Sequence, residues 1–254
     1  MNKISAVILC LNEESMIEGA LESVKFADEI LVVDSFSTDR TLEIARRYTD
    51  RILQHKFEGF AAQKNWAHSQ ATHDWVINVD ADERITAELA AEIRELLQNP
   101  LHHAYLITRK NFFLGKEIRY GSWSGDRVLR LFRRDKARYP DIQIHSELVL
   151  EGEPGRCRSP MLHYSYRSLD DFVRRVQSYS SGGAEDAKKR GRSGSGWTIV
   201  GHSLWHFLKS YVIKRGFLDG TEGLIIAMMG SYYTFLKYGK LYEQQRRPLT
   251  ERSH

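Results

Sequence analysis

The first hundred residues alternate short apolar runs with segments of helical periodicity, and this alternation restricts the fold more than any other feature of the chain. The apolar runs, which are typical of buried strands, lie at 4–11, 29–33, 51–55 and 75–79. The segment after the first run is helical, because Ile17, Ala20, Leu21 and Val24 recur on one helical face. Strands that alternate with helices predict an α/β fold with a mostly parallel, Rossmann-like sheet flanked by helices.

Polar side chains follow three of these predicted strands at the point where each strand ends. Asn12 and Glu13 follow the first strand, Asp34 follows the second, and Asp80 and Asp82 follow the fourth in the stretch VINVDADERIT. Ligands of open α/β sheets bind beyond the carboxyl ends of the strands. We therefore expect these five side chains to meet at one edge of the sheet.

The acidic turn Asp80-Ala81-Asp82 predicts either a solvated turn or a cation site, because neighbouring carboxylates repel one another unless water or a cation screens them. Carboxylates one residue apart can both reach a hard divalent cation, Mg²⁺ or Mn²⁺, whose open positions accept phosphate oxygens. Such a pair suits the binding of a diphosphate. An Asp-x-Asp pair on its own also occurs on many solvated turns, so the rest of the chain must decide.

The character of the chain changes after residue 100. Strand-like and loop-like segments rich in arginine and aromatic residues follow, then a Gly/Ser/Lys-rich stretch, then an aromatic and basic helical region. This pattern predicts four segments: an α/β segment at 1–100, a second segment at 101–180, a flexible loop at 181–196 and a C-terminal helical region at 197–254. The longest apolar stretch, 223–236, is shorter than the ~20 residues of a membrane-spanning helix.

Composition limits the cellular setting and the partners. The two cysteines, Cys10 and Cys157, support neither a disulfide framework nor a cysteine-based metal site, so we expect a cytoplasmic protein. The N-terminus is expected to form a strand rather than a signal peptide. The formal charge of +4 is small, and its basic residues are concentrated after residue 105, so we expect no nucleic-acid partner.

Several motifs in order resemble the family 2 glycosyltransferases of GT-A fold: the Asn-Glu after the first strand, VVDSFSTDRT, QKNWA and DAD. The segments GSWSGDRVLRLFRR, IHSELVLEGEPGRCRSPMLHYSY and YVIKRGFLDGTEGL are similar to the bacterial lipopolysaccharide-core β-1,4-glucosyltransferases. The resemblance extends from about residue 4 to about residue 243. It implies an inverting hexosyltransferase that uses a UDP-sugar donor, expected to be UDP-glucose, and a divalent cation.

The resemblance also implies that 1–100 is the nucleotide-sugar half and 101–180 the acceptor half, and it implies roles for residues at the donor side. Asp34 is expected to hydrogen-bond the uracil or ribose, and Asn12 and Glu13 to line the nucleotide pocket. Lys64 is expected to face the same pocket from the third helix. Asp80 and Asp82 would flank the diphosphate, with Asp82 the more direct metal ligand.

A sugar hydroxyl needs a general base to attack the donor carbon, and the segment IHSEL supplies the candidates. Related sequences usually have an adjacent His-Glu pair, whereas this chain has Ser146 at that position. Glu147 is therefore the preferred base and Asp126 the second choice. His145 is a candidate contact for metal or phosphate.

Three further residues are candidates for binding the acceptor or phosphates. Trp123 has the shape to stack on a sugar face, although packing in the core explains it equally well. Arg127 and Arg130 alternate with apolar residues on a predicted strand and are expected to pair with phosphates, or else to lie on a solvated strand face.

The acceptor that the resemblance implies is a lipid-linked oligosaccharide, an inner-core heptose of lipopolysaccharide. Aromatic and basic residues are interleaved from Trp205 to Tyr242, a combination suited to an anionic lipid interface. We therefore expect peripheral attachment to the inner face of the cytoplasmic membrane. A helical layer packed on the catalytic domain explains the aromatic residues equally well.

Other functions remain open at this level. The acceptor could be another cell-envelope glycan or a polyprenyl-linked sugar. A phosphatase with an aspartate nucleophile is disfavoured, because that motif normally follows the first strand of its domain. A sugar nucleotidyltransferase is disfavoured because LNEES contains no glycine-rich phosphate loop. A non-catalytic membrane-surface protein would need neither the acidic turn nor Asp34.

Overall fold

A computed structural model describes residues 2–140, 148–166 and 168–246 of the chain. Its strands are β1 Ile4–Cys10, β2 Glu29–Asp34, β3 Ile52–Gln54, β4 Trp75–Asp80, β5 Glu83–Ile85, β6 Ala104–Phe113, β7 Lys116–Ile118, β8 Arg127–Arg133, β9 Ala137–Arg138, β10 Val149–Leu150, β11 Gly155–Arg156 and β12 Met161–Tyr166. Its α-helices are α1 Ile17–Ser23, α2 Thr41–Ala45, α3 Phe60–Ser69, α4 Ala87–Leu96, α5 Leu169–Lys189, α6 Gly196–Phe207 and α7 Gly220–Arg246.

The main sheet has the strand order β3-β2-β1-β4-β8-β6-β12-β5. The strands β3, β2, β1 and β4 are parallel, which confirms the predicted α/β fold for the first hundred residues. The pairs β4–β8, β8–β6 and β12–β5 are antiparallel, so the parallel arrangement ends at β4. The change follows from the connections: β1 to β4 are joined through helices, whereas β6 and β8 are joined by a short segment without an α-helix.

The apolar run of β1 is continuous because both faces of the strand are covered. Ala6 and Ile8 face one hydrophobic cluster with α1 and α4, and Val7 between them faces a second cluster that contains Ala67 of α3. Alternate side chains of a strand point to opposite faces, so a parallel strand between two helical layers needs mostly apolar residues. The polar exception in β1 is Ser5, which is also buried and donates its hydroxyl to Glu29 Oε2. The polar residues of this region therefore lie mainly at the edge of the sheet where the strands end.

The chain divides into two compact units, Met1–Lys110 with Gly125–Tyr164, and Asn111–Ser124 with Ser165–His254. This division differs from the boundaries predicted from composition. The functions assigned to 1–100, 101–180 and 197–254 stay predictions. No helix within the described ranges is long and apolar enough to cross a bilayer.

The predicted loop at 181–196 is wrong for residues 181–189, which form the last turns of α5. Its glycines serve close packing rather than flexibility. Gly183 is buried against α7, and a Cβ atom at this position would lie 2.6 Å from the hydroxyl oxygen of Tyr233. The helical region predicted after residue 197 is confirmed, with Leu208–Ile213 wound as a π-helix and Gly216–Asp219 as a 3-10 helix between α6 and α7.

Thr86 caps the N-terminus of α4. Its side-chain oxygen accepts the backbone N–H of Leu89 at 3.2 Å, and its own backbone is extended. Replacing Thr86 with alanine should lower the free energy of unfolding by about 1 kcal/mol, because the first turn loses an acceptor. Urea unfolding of T86A and T86S checks this. T86S keeps the oxygen and should stay within a few tenths of wild type; an unchanged T86A midpoint would contradict the capping role.

Candidate active site

The carboxyl ends of β2, β1 and β4 lie side by side at one edge of the sheet. The strand register pairs Cys10 with Asp34 and Leu9 with Asp80. The loops that leave these strands carry the polar residues expected from the sequence. The sheet therefore brings the ends of β1 and β2 and the acidic turn together, as predicted.

Side chains of the loop after β2 hold the loop after β1. Asn12, whose φ of 55° is left-handed, donates its backbone N–H to Ser37 Oγ at 2.8 Å and accepts the backbone N–H of Thr38 on Oδ1 at 2.8 Å. Glu13 donates its backbone N–H to Thr41 Oγ1, also at 2.8 Å. Asparagine tolerates the left-handed region better than most residues. The two loops thus form one hydrogen-bonded layer over the sheet edge.

Asp34 is completely buried and organises this layer. Its carboxylate accepts the backbone N–H of Ser37 at 3.0 Å, the Ser37 hydroxyl, and Gln54 Nε2 at 3.0 Å. Cys10 Sγ lies 3.7 Å from Oδ1, and burial together with the Asp34 charge raises the pKa of this thiol. Asp34 thus caps the turn that follows β2. Its predicted role toward uracil or ribose stays a prediction.

Asp80 lies among positive charges. Arg130 Nη2 donates to its Oδ2, and Lys64 Nζ lies 3.9 Å from its Oδ1. Burial alone would raise the pKa of Asp80, but the charges of Arg130 and Lys64 and the Arg130 hydrogen bond lower it well below its usual range. Asp80 is therefore an ionised carboxylate. Lys64 thus lies near the acidic turn, and its predicted place in a nucleotide pocket stays a prediction.

Glu83, the third carboxylate of the turn, points into the protein rather than to solvent. It is completely buried; its Oε2 accepts the backbone N–H of Asp80 at 3.1 Å, and its Oε1 accepts Arg130 Nη2 at 2.7 Å and Arg109 Nη1 at 3.2 Å. Arg109 also donates through Nε to Asp126 Oδ2 at 2.8 Å. We call these five residues, Asp80, Glu83, Arg109, Asp126 and Arg130, the Glu83 network.

The network corrects the expected surroundings of Arg130 and Asp126. Arg130 is only 5% exposed and neutralises two carboxylates, so it does not lie on a solvated strand face. Asp126 is held by two N–H groups of Arg109. Arg127 is exposed on the same strand, and the phosphate contacts predicted for both arginines stay predictions.

Arg84 fixes the backbone of the acidic turn. Its Nη1 donates to the carbonyl oxygens of Ala81 and Glu83, both at 2.7 Å, and its Nη2 donates to the carbonyl of Met16 ahead of α1. Gly19 of α1 leaves the room for this guanidinium, since a Cβ atom there would lie 2.3 Å from Arg84 Nε. Sequence reasoning assigned no role to Arg84 or Arg109, because neither belongs to a motif that identifies its partner.

Asp82 lies beside His163, a residue to which the sequence analysis gave no role. β5 begins directly after the turn and pairs with β12, in a register that places His163 opposite Glu83. His163 Nε2 lies 3.7 Å from Asp82 Oδ2, and Tyr164 donates its backbone N–H to the Asp82 carbonyl at 2.9 Å. A histidine eighty residues along the chain gives no sequence signal of this proximity.

The carboxylate of Asp82 fits the expected hard cation, and His163 beside it adds an imidazole nitrogen, a ligand that transition metals accept more readily than Mg²⁺ does. Within the described residues no three His, Cys, Asp or Glu side chains are grouped to hold a metal ion. Mg²⁺ and Mn²⁺ nevertheless bind through few protein ligands and take their remaining oxygens from water and substrate phosphates. Asp82 and His163 are therefore candidate ligands, and Asp80, paired with Arg130, is the less direct one.

The remaining candidates lie elsewhere. Glu147 and His145 lie outside the described residues. Trp123 is partly buried in the second unit, where its ring lies 5.9 Å from the ring of Phe113 and 5.7 Å from that of Tyr166. This packing matches the core alternative for Trp123, and stacking on a sugar stays a prediction.

Comparison with known proteins identifies the family. The model of "Glycosyl transferase family 2" matches residues 5–147. The lipopolysaccharide core biosynthesis glycosyltransferase LpsC of Rhizobium meliloti is 31% identical over 95% of this chain and 92% of its own length. An uncharacterised glycosyltransferase of Rickettsia typhi is 30% identical over 96% of this chain and 88% of its own.

A weaker match is glucosyl-3-phosphoglycerate synthase from Mycobacterium tuberculosis, solved with Mg²⁺ and UDP. It is 18% identical, its TM-score is 0.48, and the match covers 77% of this chain and 82% of that one. Nothing about the ligands of the present chain follows from so distant a match. The two sequence relatives, in contrast, each cover 95% or more of the chain, and the family model covers more than half of it. The chain belongs to glycosyl transferase family 2.

Proposed function

We propose that this family 2 glycosyltransferase is a metal-dependent inverting enzyme that transfers a hexose, glucose, from UDP-glucose to an inner-core heptose of lipopolysaccharide. The observation that carries the proposal is the acidic turn at the carboxyl end of β4, whose Asp80 carboxylate pairs with Arg130, beside the joined loops of β1 and β2. The acceptor is proposed from the similarity to LpsC, whose name places that relative in lipopolysaccharide core biosynthesis.

The nucleotide end of the donor is proposed to bind at the layer formed by the loops after β1 and β2. Asn12 and Glu13 line this layer, and Asp34 holds its shape through the Ser37 and Gln54 contacts. Lys64, 3.9 Å from Asp80, adds a positive charge for the diphosphate. Binding there would place the sugar end of the donor toward Asp82.

Asp82 and His163 are proposed to hold the divalent cation, with Asp80 beside them. When bound, such a cation neutralises the negative charge that develops on the departing diphosphate. The acidic turn is held in place before the reaction, because Arg130 and Arg109 donate hydrogen bonds to the buried Glu83 carboxylate. The Asp82 side chain lies apart from these arginines, beside His163. Because these side chains are already in place, they need not reorganise during the reaction. Such preorganisation is the usual source of electrostatic catalysis.

A single displacement with inversion is proposed, since the described residues supply no nucleophile beside the acidic turn with an activating base. Glu147 remains the preferred base, and Asp126 the alternative. Asp126 is linked to the acidic turn through Arg109 and Glu83. We also propose that the enzyme attaches peripherally to the inner face of the cytoplasmic membrane, where a lipid-linked acceptor would be found.

Replacing Asp82 with asparagine should lower kcat at least a hundredfold, because a Lewis acid contributes several kcal/mol to the transition state. H163Q should raise the Mn²⁺ concentration required for half-maximal rate. Transfer from radiolabelled UDP-glucose, with metal titrated after EDTA treatment, measures both effects. E95Q, which changes an exposed carboxylate of α4, is the control. Full activity of folded D82N in EDTA would rule out the metal role.

Replacing Glu83 with glutamine tests whether the Glu83 network positions Asp80. The variant leaves Arg109 and Arg130 with a weaker buried partner, so the free energy of unfolding should fall by about 3 kcal/mol. It should also lower kcat at least tenfold with a smaller change in KM for UDP-glucose, because the turn would lose its fixed position.

The matched control is E92Q. Glu92 is also a buried carboxylate, which accepts the backbone N–H groups of Arg158 and Ser159 at 2.7 and 2.8 Å, away from the acidic turn. It should cost comparable stability and leave kcat unchanged. If E83Q and E92Q lose stability equally and both keep wild-type kcat, Glu83 is structural only.

The base is tested by E147Q and D126N. E147Q should reduce kcat by two or more orders of magnitude while UDP affinity, measured by calorimetry, stays within a factor of two, because the lost group acts on the acceptor. D126N should mainly disturb Arg109. Normal turnover by E147Q together with an inactive D126N that still binds UDP would transfer the role to Asp126.

A further inference from the structure

The helical segment Gly196–Leu218 of the second unit has its apolar residues outside and its small polar residues inside. Trp197, Val200, Leu204, Leu208 and Val212 recur at intervals of three and four residues, so they lie along one side of α6 and of the π-helix that continues it. We call these five residues the apolar stripe. Trp197 is 91% exposed, and the other four are 39–62% exposed.

The side of the segment that faces the protein carries small polar residues, together with Ile199, which packs against the cluster of Tyr238 and Leu241. Ser203 is buried, and its carbonyl oxygen accepts the Ser231 hydroxyl of α7 at 2.8 Å. Ser210 is 2% exposed, and its hydroxyl accepts the backbone N–H of Ser122 at 3.1 Å. A helix on the surface of a water-soluble protein normally shows the reverse pattern. An exposed apolar surface of this kind marks an interaction site.

The charges that accompany the stripe all have one sign. Lys209, Lys214 and Arg215 are exposed, and residues 196–218 contain no aspartate or glutamate. The first acid after them, Asp219, is buried and accepts the backbone N–H of Tyr120 at 2.8 Å. The surface around the stripe is therefore basic, with no acid of its own to neutralise it.

We propose that the apolar stripe inserts into the interfacial region of an anionic lipid bilayer, with the three basic residues against the lipid headgroups. The inference deepens the peripheral attachment proposed above and rests on it. Amphipathic helices with aromatic and leucine residues on one side and lysines beside them bind membranes in this way. Lysine and arginine near an anionic leaflet add an electrostatic attraction.

A second copy of the chain fits this surface less well than a lipid. A two-fold dimer brings the same patch of both subunits together, so the basic residues of one copy would face those of the other. Anionic headgroups complement that charge, while the acyl region accepts Trp197 and the leucines. The proposal also selects different residues from those suggested by the sequence alone, since Tyr233 packs in a hydrophobic cluster with Phe172 and Phe113.

Flotation of the full-length protein with vesicles tests the proposal without any substrate. Wild type should float with phosphatidylglycerol/phosphatidylcholine vesicles at low salt and less so at high salt. L204S/L208S should reduce the partition coefficient by roughly tenfold per leucine. K209Q/K214Q should reduce it by roughly thirtyfold, since each lysine contributes about a factor of five.

The matched controls are L169S, on α5 of the same unit, and L101S, since both leucines are exposed but lie outside the stripe. Their flotation should equal that of wild type. Circular dichroism should show that all variants are folded, as expected for exposed positions.

Fluorescence quenching by lipids brominated on their acyl chains locates the inserted residues. Quenching should be strong in wild type and in W66F, whose tryptophan stacks on His55, and should be lost in W197F/W205F. Absence of flotation at low salt, or quenching that survives W197F/W205F, overturns the proposal. A salt-resistant dimer that L204S/L208S converts to monomer, with no flotation, would assign the stripe to a second copy. Transfer to a soluble lipid-free acceptor is measured in parallel, so a failed membrane result is distinguishable from a failed enzyme assignment.

Discussion

The candidate site depends on the hydrogen bonds and ion pairs of one buried carboxylate, that of Glu83. It accepts hydrogen bonds from the guanidinium groups of Arg109 and Arg130 and from the backbone N–H of Asp80. One carboxylate therefore holds two arginine side chains and the start of the acidic turn. Removing charges from water costs several kcal/mol each, and here the cost is offset by mutual pairing. The arrangement keeps the Asp80 carboxylate ionised and holds it in place, whereas the Asp82 side chain lies beside His163.

The rest of the edge is built around the same requirement for fixed polar groups. Asp34 is buried beneath the loop after β2, and that loop holds Asn12 and Glu13 through serine and threonine hydroxyls. A hydrogen-bonded polar network of this kind is rigid. In this chain the backbone of the sheet edge is therefore shaped by internal hydrogen bonds.

The second unit shows how poorly composition alone predicts order. The stretch around Gly182 and Gly183 has the composition of a linker, yet it is helical because small residues allow α7 to approach α5 closely. The aromatic and basic residues that follow suggest a lipid interface as a group. Only the fold separates those that pack inside, such as Tyr233, from those that stay exposed, such as Trp197.

The sequence by itself determined the parallel strands β1 to β4, the acidic turn at a strand end and the family, because periodicity and motif order are local properties. It also predicted that the residues that follow β1, β2 and β4, among them Asn12, Asp34 and Asp80, lie at one edge of the sheet. Tertiary structure alone decided that Arg109 and Arg130 donate hydrogen bonds to Glu83, that His163 lies beside Asp82 and that Asp34 is buried. Those partners are separated by tens of residues, and their pairing depends on strand register, which no local pattern encodes.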